Sequence, residues 1–351
     1  MAGTETAALG VTPRAAVYFV ASPLHYLAAR RVALDHEAGA RQVLVCYRPA
    51  LAGMIRHADW DAVVLMPWPR FDPLPGLFGR LRRTLANLHA VAAAVGPVSE
   101  LHLHSPVYDT EAINYFLHAL PRLTGARVRR ARILPDGLLN LQRHPLNAAK
   151  RFAQRLRGLR RLANPLLRYT PFSGDRIGSE AAFVDRIYVL DGFPHDYDPA
   201  KVQVLAPLVQ REAGATRAPM RALVVGQPLV VVGLLSEAER AIVAERIDEW
   251  LTAMGITEVH YKAHPREGAR GGLSRPRYRP LEIDEPLEAY LAREPYPVIA
   301  GCCSTALYTA RQIGGADVRI AAFGVGQVRF KTSDARDNAM RLMRQLGIEI
   351  H

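Results

Sequence analysis

The chain has 351 residues, enough for about two domains of ordinary size, and its 49% hydrophobic and 22% charged residues exclude a disordered or fibrous class. The net charge is +12, although only four of the 45 basic residues are lysines (Lys150, Lys201, Lys262 and Lys331). Three cysteines, Cys46, Cys302 and Cys303, exclude a disulfide framework and CxxC metal spacing, and they favour a reducing compartment.

The arginine skew is what a GC-rich genome gives. The excess positive charge favours anionic partners: nucleotide sugars, acidic glycans, anionic lipid or nucleic acid. Residues 1–13 lack the apolar stretch of a signal peptide. No apolar run reaches the about 20 residues that a membrane span needs. A cytoplasmic protein is expected, with contact to the inner face of the inner membrane left open.

Residues 14–21 read as a buried strand broken by Ser22-Pro23, with a helix over 24–36. Strands follow at 41–47 and 61–66, then a helix over 74–95, a strand at 100–104, a helix over 109–120 and a strand at 127–134. Strands alternating with helices predict a parallel sheet with crossover helices. Residues 137–174 carry no acidic residue and eight basic ones, and Phe152, Leu156, Leu159 and Ala163 recur at helical spacing. This basic amphipathic segment is either a solvated helix on its own domain or a surface for membrane contact through 143–168. A strand at 186–190 precedes a proline-rich stretch, 191–219, read as the linker. The second run has strands at 222–225, 258–262, 298–300 and 319–323, with helices over 237–254, 286–293, 305–312 and 334–346. The expected fold is α/β: a Rossmann-like domain over 1–190, the linker, and a second Rossmann-like domain over 220–351, whose last helix is free to pack back on the first. Such halves place a ligand cleft at the carboxyl ends of their strands.

Three motifs sit at those strand ends. Asp136, in Leu134-Pro135-Asp136-Gly137, can take a proton from a sugar hydroxyl, although Pro-Asp-Gly alone is also an ordinary turn. Lys262-Ala263-His264-Pro265-Arg266 puts three basic groups within five residues, a grip for phosphate. Gly301-Cys302-Cys303-Ser304-Thr305 leads into a helix N-terminus, where free N–H groups favour an anion; as a plain N-cap, Ser304 would only satisfy the helix start. A nucleophilic role for Cys302 or Cys303 is discounted for want of a clear base.

With these motifs in this order, the chain resembles the bacterial sialyltransferase and polysialyltransferase group, which has a GT-B architecture. The resemblance rests on Pro135-Asp136-Gly137, Lys262-Ala263-His264-Pro265-Arg266 and Cys303-Ser304-Thr305. It extends to Ser22-Pro23-Leu24-His25-Tyr26, to Gly226-Gln227-Pro228-Leu229 and to Leu235-Ser236-Glu237. The resemblance implies an inverting, metal-independent transfer of sialic acid from CMP-sialic acid to a glycan acceptor of lipooligosaccharide or capsule type. It implies Asp136 as the base and His264 on the CMP phosphate. Lys262, Pro265, Arg266, Gly301, Cys303, Ser304, Thr305 and Gln227 would be donor-binding, with no cofactor. Pro135 and Cys303 depart from the group's acidic and serine positions. The alternatives are a CMP-Kdo or other nucleotide-sugar transferase, and a non-enzymatic binder of an anionic surface or nucleic acid. No nucleic-acid motif accompanies the charge.

Weaker signals remain. Asp196-Tyr197-Asp198 is a formal DxD for a divalent cation, read here as a solvated loop. His102 and His104 alternate on one strand face, as metal ligands or as a pair near the acceptor. Arg143-His144-Pro145 echoes the His-Pro motif without a strand before it. Trp68, Tyr108 and Tyr115 are candidate sugar-stacking aromatics, with core packing the plainer role.

Overall fold

The computed structural model describes residues 12–136, 145–193, 195–208, 220–264, 266–267, 272–330 and 333–351. Contacts divide the chain into two compact units.

The first unit holds a seven-stranded sheet, all parallel. Its strands are β1 (Thr12–Val20), β2 (Arg41–Cys46), β3 (Ala62–Leu65), β4 (Val98–Ser105), β5 (Val128–Ile133), β6 (Val184–Leu190) and β7 (Val202–Leu205), in the order β3-β2-β1-β4-β5-β6-β7. The expected alternation is present: α1 (Pro23–His36) crosses from β1 to β2, α2 (Gly79–Val95) from β3 to β4, and α3 (Glu111–Asn114) with α4 (Phe116–Thr124) from β4 to β5. A fifth helix, α5 (Ala148–Gly158), comes before β6. β7 lies inside the proline-rich stretch read as linker and pairs with β6 through Ile187–Leu190.

Strand side chains alternate between the faces of this sheet, and the two faces differ. Val17, Phe19, Leu101, Leu103, Ala131 and Ile133 point to one face and pack on Leu88, Val91 and Val95 of α2 and on Phe116 and Leu120 of α4. That face is a conventional apolar core. Tyr18, His102, His104, Arg132 and Tyr188 occupy the alternate positions, and all are buried.

The second unit holds a six-stranded parallel sheet in the order β10-β9-β8-β11-β12-β13. Its strands are β8 (Arg221–Val225), β9 (Glu258–Lys262), β10 (Arg279–Pro280), β11 (Val298–Gly301), β12 (Arg319–Ala322) and β13 (Glu349–Ile350). The helices are α6 (Glu237–Ala253), α7 (Leu287–Arg293), α8 (Thr305–Gly314) and α9 (Ser333–Gln345). Ser236 starts α6 with a full capping box: its Oγ accepts from the Glu239 N–H, and the Glu239 carboxylate returns to the Ser236 N–H at 2.6 Å. Leu342 and Met343 of α9 lie in this unit's core. In both sheets the order reverses beside the first strand, between β1 and β4 and between β8 and β11. Ligands of open parallel sheets bind at the carboxyl ends of strands around such switch points.

Candidate functional site

In the first unit, β1 ends at Val20 and Ser22 caps α1, its Oγ accepting from the His25 N–H at 3.2 Å. Pro23 sits in the first turn, where its missing N–H costs nothing. His25 is therefore held in the opening turn of α1, at the carboxyl edge of β1. Its Nδ1 accepts from the Ala21 N–H at 3.3 Å, which leaves the ring hydrogen on Nε2. That Nε2–H donates to Asp136 Oδ1 at 2.6 Å. Asp136 follows β5 and is the more accessible partner, its side chain 23% exposed against 6% for His25. Oδ2 has no partner among the described residues.

An aromatic pair stands at the same strand edge. Tyr47 follows β2 and Trp68 follows β3, and their rings stack at 4.8 Å. The Tyr47 phenol is pushed up by burial first and by the negative charge of Asp136 second. Tyr108 and Tyr115 are buried in the core, the plainer of their two readings.

In the second unit Glu267, which is 7% exposed, ties the segments around Gln227 and His264 together. Glu267 Oε1 accepts from the Gln227 N–H at 3.0 Å and from the Tyr261 hydroxyl at 2.6 Å, and Oε2 accepts from the His264 N–H at 3.2 Å. Gln227, just past β8, then bridges the switch point to the turn after β11. Its Oε1 accepts from the Cys303 N–H at 3.1 Å, and its Nε2 meets Cys303 Sγ at 3.2 Å. The amide of Gln227 is thus spent on the fold, as a positioning group. His264 Nδ1 accepts from the Arg266 N–H at 3.1 Å, so the neutral ring carries its hydrogen on Nε2. Burial, and then the Arg266 charge, lower the His264 pKa and keep the ring neutral. Lys262 is half-buried and Arg266 exposed.

The turn into α8 is built as the motif suggests. Ser304 is the N-cap, its Oγ accepting from the Ala306 N–H at 3.2 Å. The Cys303 N–H is taken by Gln227 and the Leu307 N–H by the Ser304 carbonyl. Thr305 keeps a first-turn N–H with no intrahelical partner. Gly301 serves packing: a Cβ there would stand 3.3 Å from Leu307 Cδ2. Cys302 and Cys303 are buried free thiols. The Cys302 thiol is pushed well up by its hydrogen bond with Cys303 and by burial, which suits an inert core group.

Other sequence candidates fall elsewhere. His102 and His104 both turn onto the buried Glu37, His102 Nδ1 at 2.8 Å and His104 Nε2 at 3.1 Å. In the DxD, Tyr197 is buried, and Asp198 Oδ1 accepts from the Ala200 N–H at 3.0 Å as a turn former. Among the described residues no group of three or more His, Cys, Asp or Glu could hold a metal ion, and no helix is long and apolar enough to cross a membrane. Gly137, Pro265 and Arg143-His144 lie outside the described residues. Sequence reasoning missed His25, Tyr47 and Glu267 as site residues. A serine-proline cap directly after a strand was the available signal for His25.

No protein-family model and no curated protein matches the chain. Among solved structures, CalG4, the calicheamicin glycosyltransferase, is similar over 97% of this chain and 85% of its own, at 16% identity and a TM-score of 0.51. MurG of Acinetobacter baumannii covers 97% and 85% at 12% identity and a TM-score of 0.45. A putative UDP-N-acetylglucosamine 2-epimerase from Listeria monocytogenes covers 96% and 89% at 10% identity and a TM-score of 0.47. The fold is GT-B. At these identities the reaction must be argued from the residues.

Proposed function

We propose that the chain is an inverting, metal-independent glycosyltransferase that moves sialic acid from CMP-sialic acid to a glycan acceptor. The observation that carries this reading is the hydrogen bond from His25 Nε2–H to Asp136 Oδ1. The tautomer fixed by the Ala21 N–H makes His25 a donor, so it orients the carboxylate. Oδ2 is then the basic atom. It takes the proton of the acceptor hydroxyl as that oxygen bonds the anomeric carbon. The bond from that carbon to the CMP phosphate breaks, and its electron pair leaves with the phosphate. Tyr47 and Trp68, stacked at the same carboxyl edge of the sheet, offer a surface for an acceptor sugar.

The donor's leaving group needs cations and N–H donors. Lys262 and Arg266 supply charge, His264 supplies a neutral Nε2–H, and Thr305 supplies its N–H at the positive end of α8. His264 then acts as a hydrogen-bond donor to the phosphate, with no requirement to arrive protonated. The sialic acid carboxylate gains from the same positive lining. Supporting the CMP-sialyl donor are the Pro135-Asp136-Gly137, His264-Pro265 and Ser304-Thr305 motifs and their order along the chain. The three unpaired cysteines fit work in the cytoplasm.

The test is nucleotide release in EDTA from CMP-sialic acid, CMP-Kdo and a UDP-sugar, with a broad acceptor mixture. CMP release from the sialyl donor should fall about 10²–10⁴-fold in Asp136→Asn and weaken through KM in His264→Ala. Turnover of CMP-Kdo or the UDP-sugar alone would keep the transfer chemistry and replace the donor. No turnover of any donor would sink the transferase reading.

A further inference from the structure

Helix α5 and the 3-10 turn after it, Leu159–Leu162, have unlike faces. The inner face is fastened by polar contacts. Gln154 is 2% exposed, with Nε2 3.4 Å from Asp109 Oδ1 and Oε1 accepting from the Phe172 N–H at 3.2 Å. Arg157 Nη1 donates to the Asp109 carbonyl at 3.1 Å, and its guanidinium lies 5.5 Å from the Tyr169 ring centre. Arg160 is paired with Glu111. Rolling the helix to hide its other side would break this whole set.

The outer face is apolar and wet. Phe152, Leu156, Leu159 and Leu162 are 60%, 50%, 55% and 81% exposed, the first three at i, i+4 and i+7. Exposed Arg151, Arg155 and Arg161 lie among them in sequence and have no ion pair among the described residues. From 137 to 174 the chain has no carboxylate at all. Four large apolar side chains in water beside unpaired cations fit one medium best: the lipid headgroup boundary. There the apolar groups enter the acyl layer and the guanidiniums meet phosphates. A neutral apolar protein groove would leave those cations without counter-charges.

We infer that the outer face of α5 docks the protein on an anionic phospholipid bilayer surface. This stands apart from the transfer chemistry, because vesicle binding needs no donor sugar. The test is sedimentation of the full chain with vesicles of phosphatidylcholine alone and of phosphatidylcholine with about one-third phosphatidylglycerol. Wild type should sediment with the anionic vesicles only, and release as salt rises towards 0.5 M. Phe152→Ser with Leu156→Ser, and separately Arg151→Gln with Arg155→Gln, should each lower partitioning roughly tenfold or more. Both pairs are on the surface, so the thermal melt should be unchanged. Equal binding to neutral vesicles, or wild-type binding in both variants, overturns the proposal. So does a soluble dimer that the Phe152→Ser/Leu156→Ser variant splits without any lipid binding, since the face would then belong to a second copy.

Discussion

Asp136 has two carboxylate oxygens and His25 engages one of them, at 2.6 Å. That division of labour gives a prediction at the scale of single atoms. His25→Ala should lower kcat while leaving the KM for donor unchanged, because the carboxylate loses the hydrogen bond that orients it. His25→Gln, whose amide N–H can reach in a similar direction, should recover part of the loss. Steady-state kinetics on the two variants checks this, and equal loss in both would assign the imidazole itself to proton transfer. Asp136 was legible because it ends a strand with a glycine beside it. Its partner was not, since 111 residues separate them and only the sheet brings β1 and β5 to one edge. His102 and His104 misled for a related reason. Alternation shows that two side chains share a face, but not what lies over that face.

Elements carry the donor half. The carboxylate of Glu267 reaches Gln227 and His264 only because two glycines leave it room. A Cβ on Gly272 would stand 1.4 Å from Glu267 Oε1, and one on Gly226 would stand 2.6 Å from the Tyr261 hydroxyl oxygen and 2.8 Å from Glu267 Oε2. Gly226→Ala should therefore push the Tyr261–Glu267 pair aside and loosen the Gln227 bridge to Cys303. The expected result is CMP binding weakened about tenfold or more, from loss of about one to two such buried hydrogen bonds, with little change in secondary structure. Calorimetric titration with CMP reads it, and unchanged affinity would demote Glu267 from positioning residue to core filler. Most strands were legible as apolar runs between glycines and prolines. The short strands β10 and β13 were not, and two further departures have a physical cause. The helix expected from Leu74 begins at Gly79, because the Leu74 N–H turns back onto the Gly79 carbonyl at 3.2 Å. A Cβ at Gly79 would stand 1.9 Å from the Leu74 carbonyl oxygen, so only glycine allows that loop. β7 hid in a proline-rich stretch because an edge strand pairs on one side only and tolerates prolines at its borders.

At the scale of the molecule, the first sheet is unusual for what it buries opposite its apolar core. Glu37, fully buried just past the end of α1, accepts from His102, His104 and Arg132 together. Burial acts to raise the Glu37 pKa, but the two histidine hydrogen bonds and the Arg132 charge outweigh it, so the carboxyl sits well below its usual range. His104 is pulled the other way. Burial lowers its pKa from 6.5 to about 4, against the attraction of Glu37, and its Nδ1 has no partner. The signs agree. Between pH 6.5 and about 4 the unfolded chain takes up a proton at His104 that the folded chain refuses, so stability falls as pH falls through that window. Glu37 adds to the loss below the ordinary carboxylate range. The histidine alone is worth on the order of 3 kcal/mol at the bottom of the window, roughly ten degrees in the melt of a unit this size. Thermal unfolding at half-unit steps from pH 7 to 4 should show that decline. His104→Gln, which cannot titrate, should start less stable but lose much of the slope. An unaltered slope in the variant would place the acid sensitivity elsewhere. Glu37→Ala should cost about 3–5 kcal/mol at neutral pH, because it takes the buried carboxylate away from Arg132, which keeps only the partly exposed Asp185, and leaves the His104 Nε2 without its acceptor. The network lies along the sheet face towards the opposite end of α1 from His25. A Glu37 variant that still folds should therefore keep its donor specificity while losing heat tolerance, which separates the scaffold's charge network from the chemistry of Asp136.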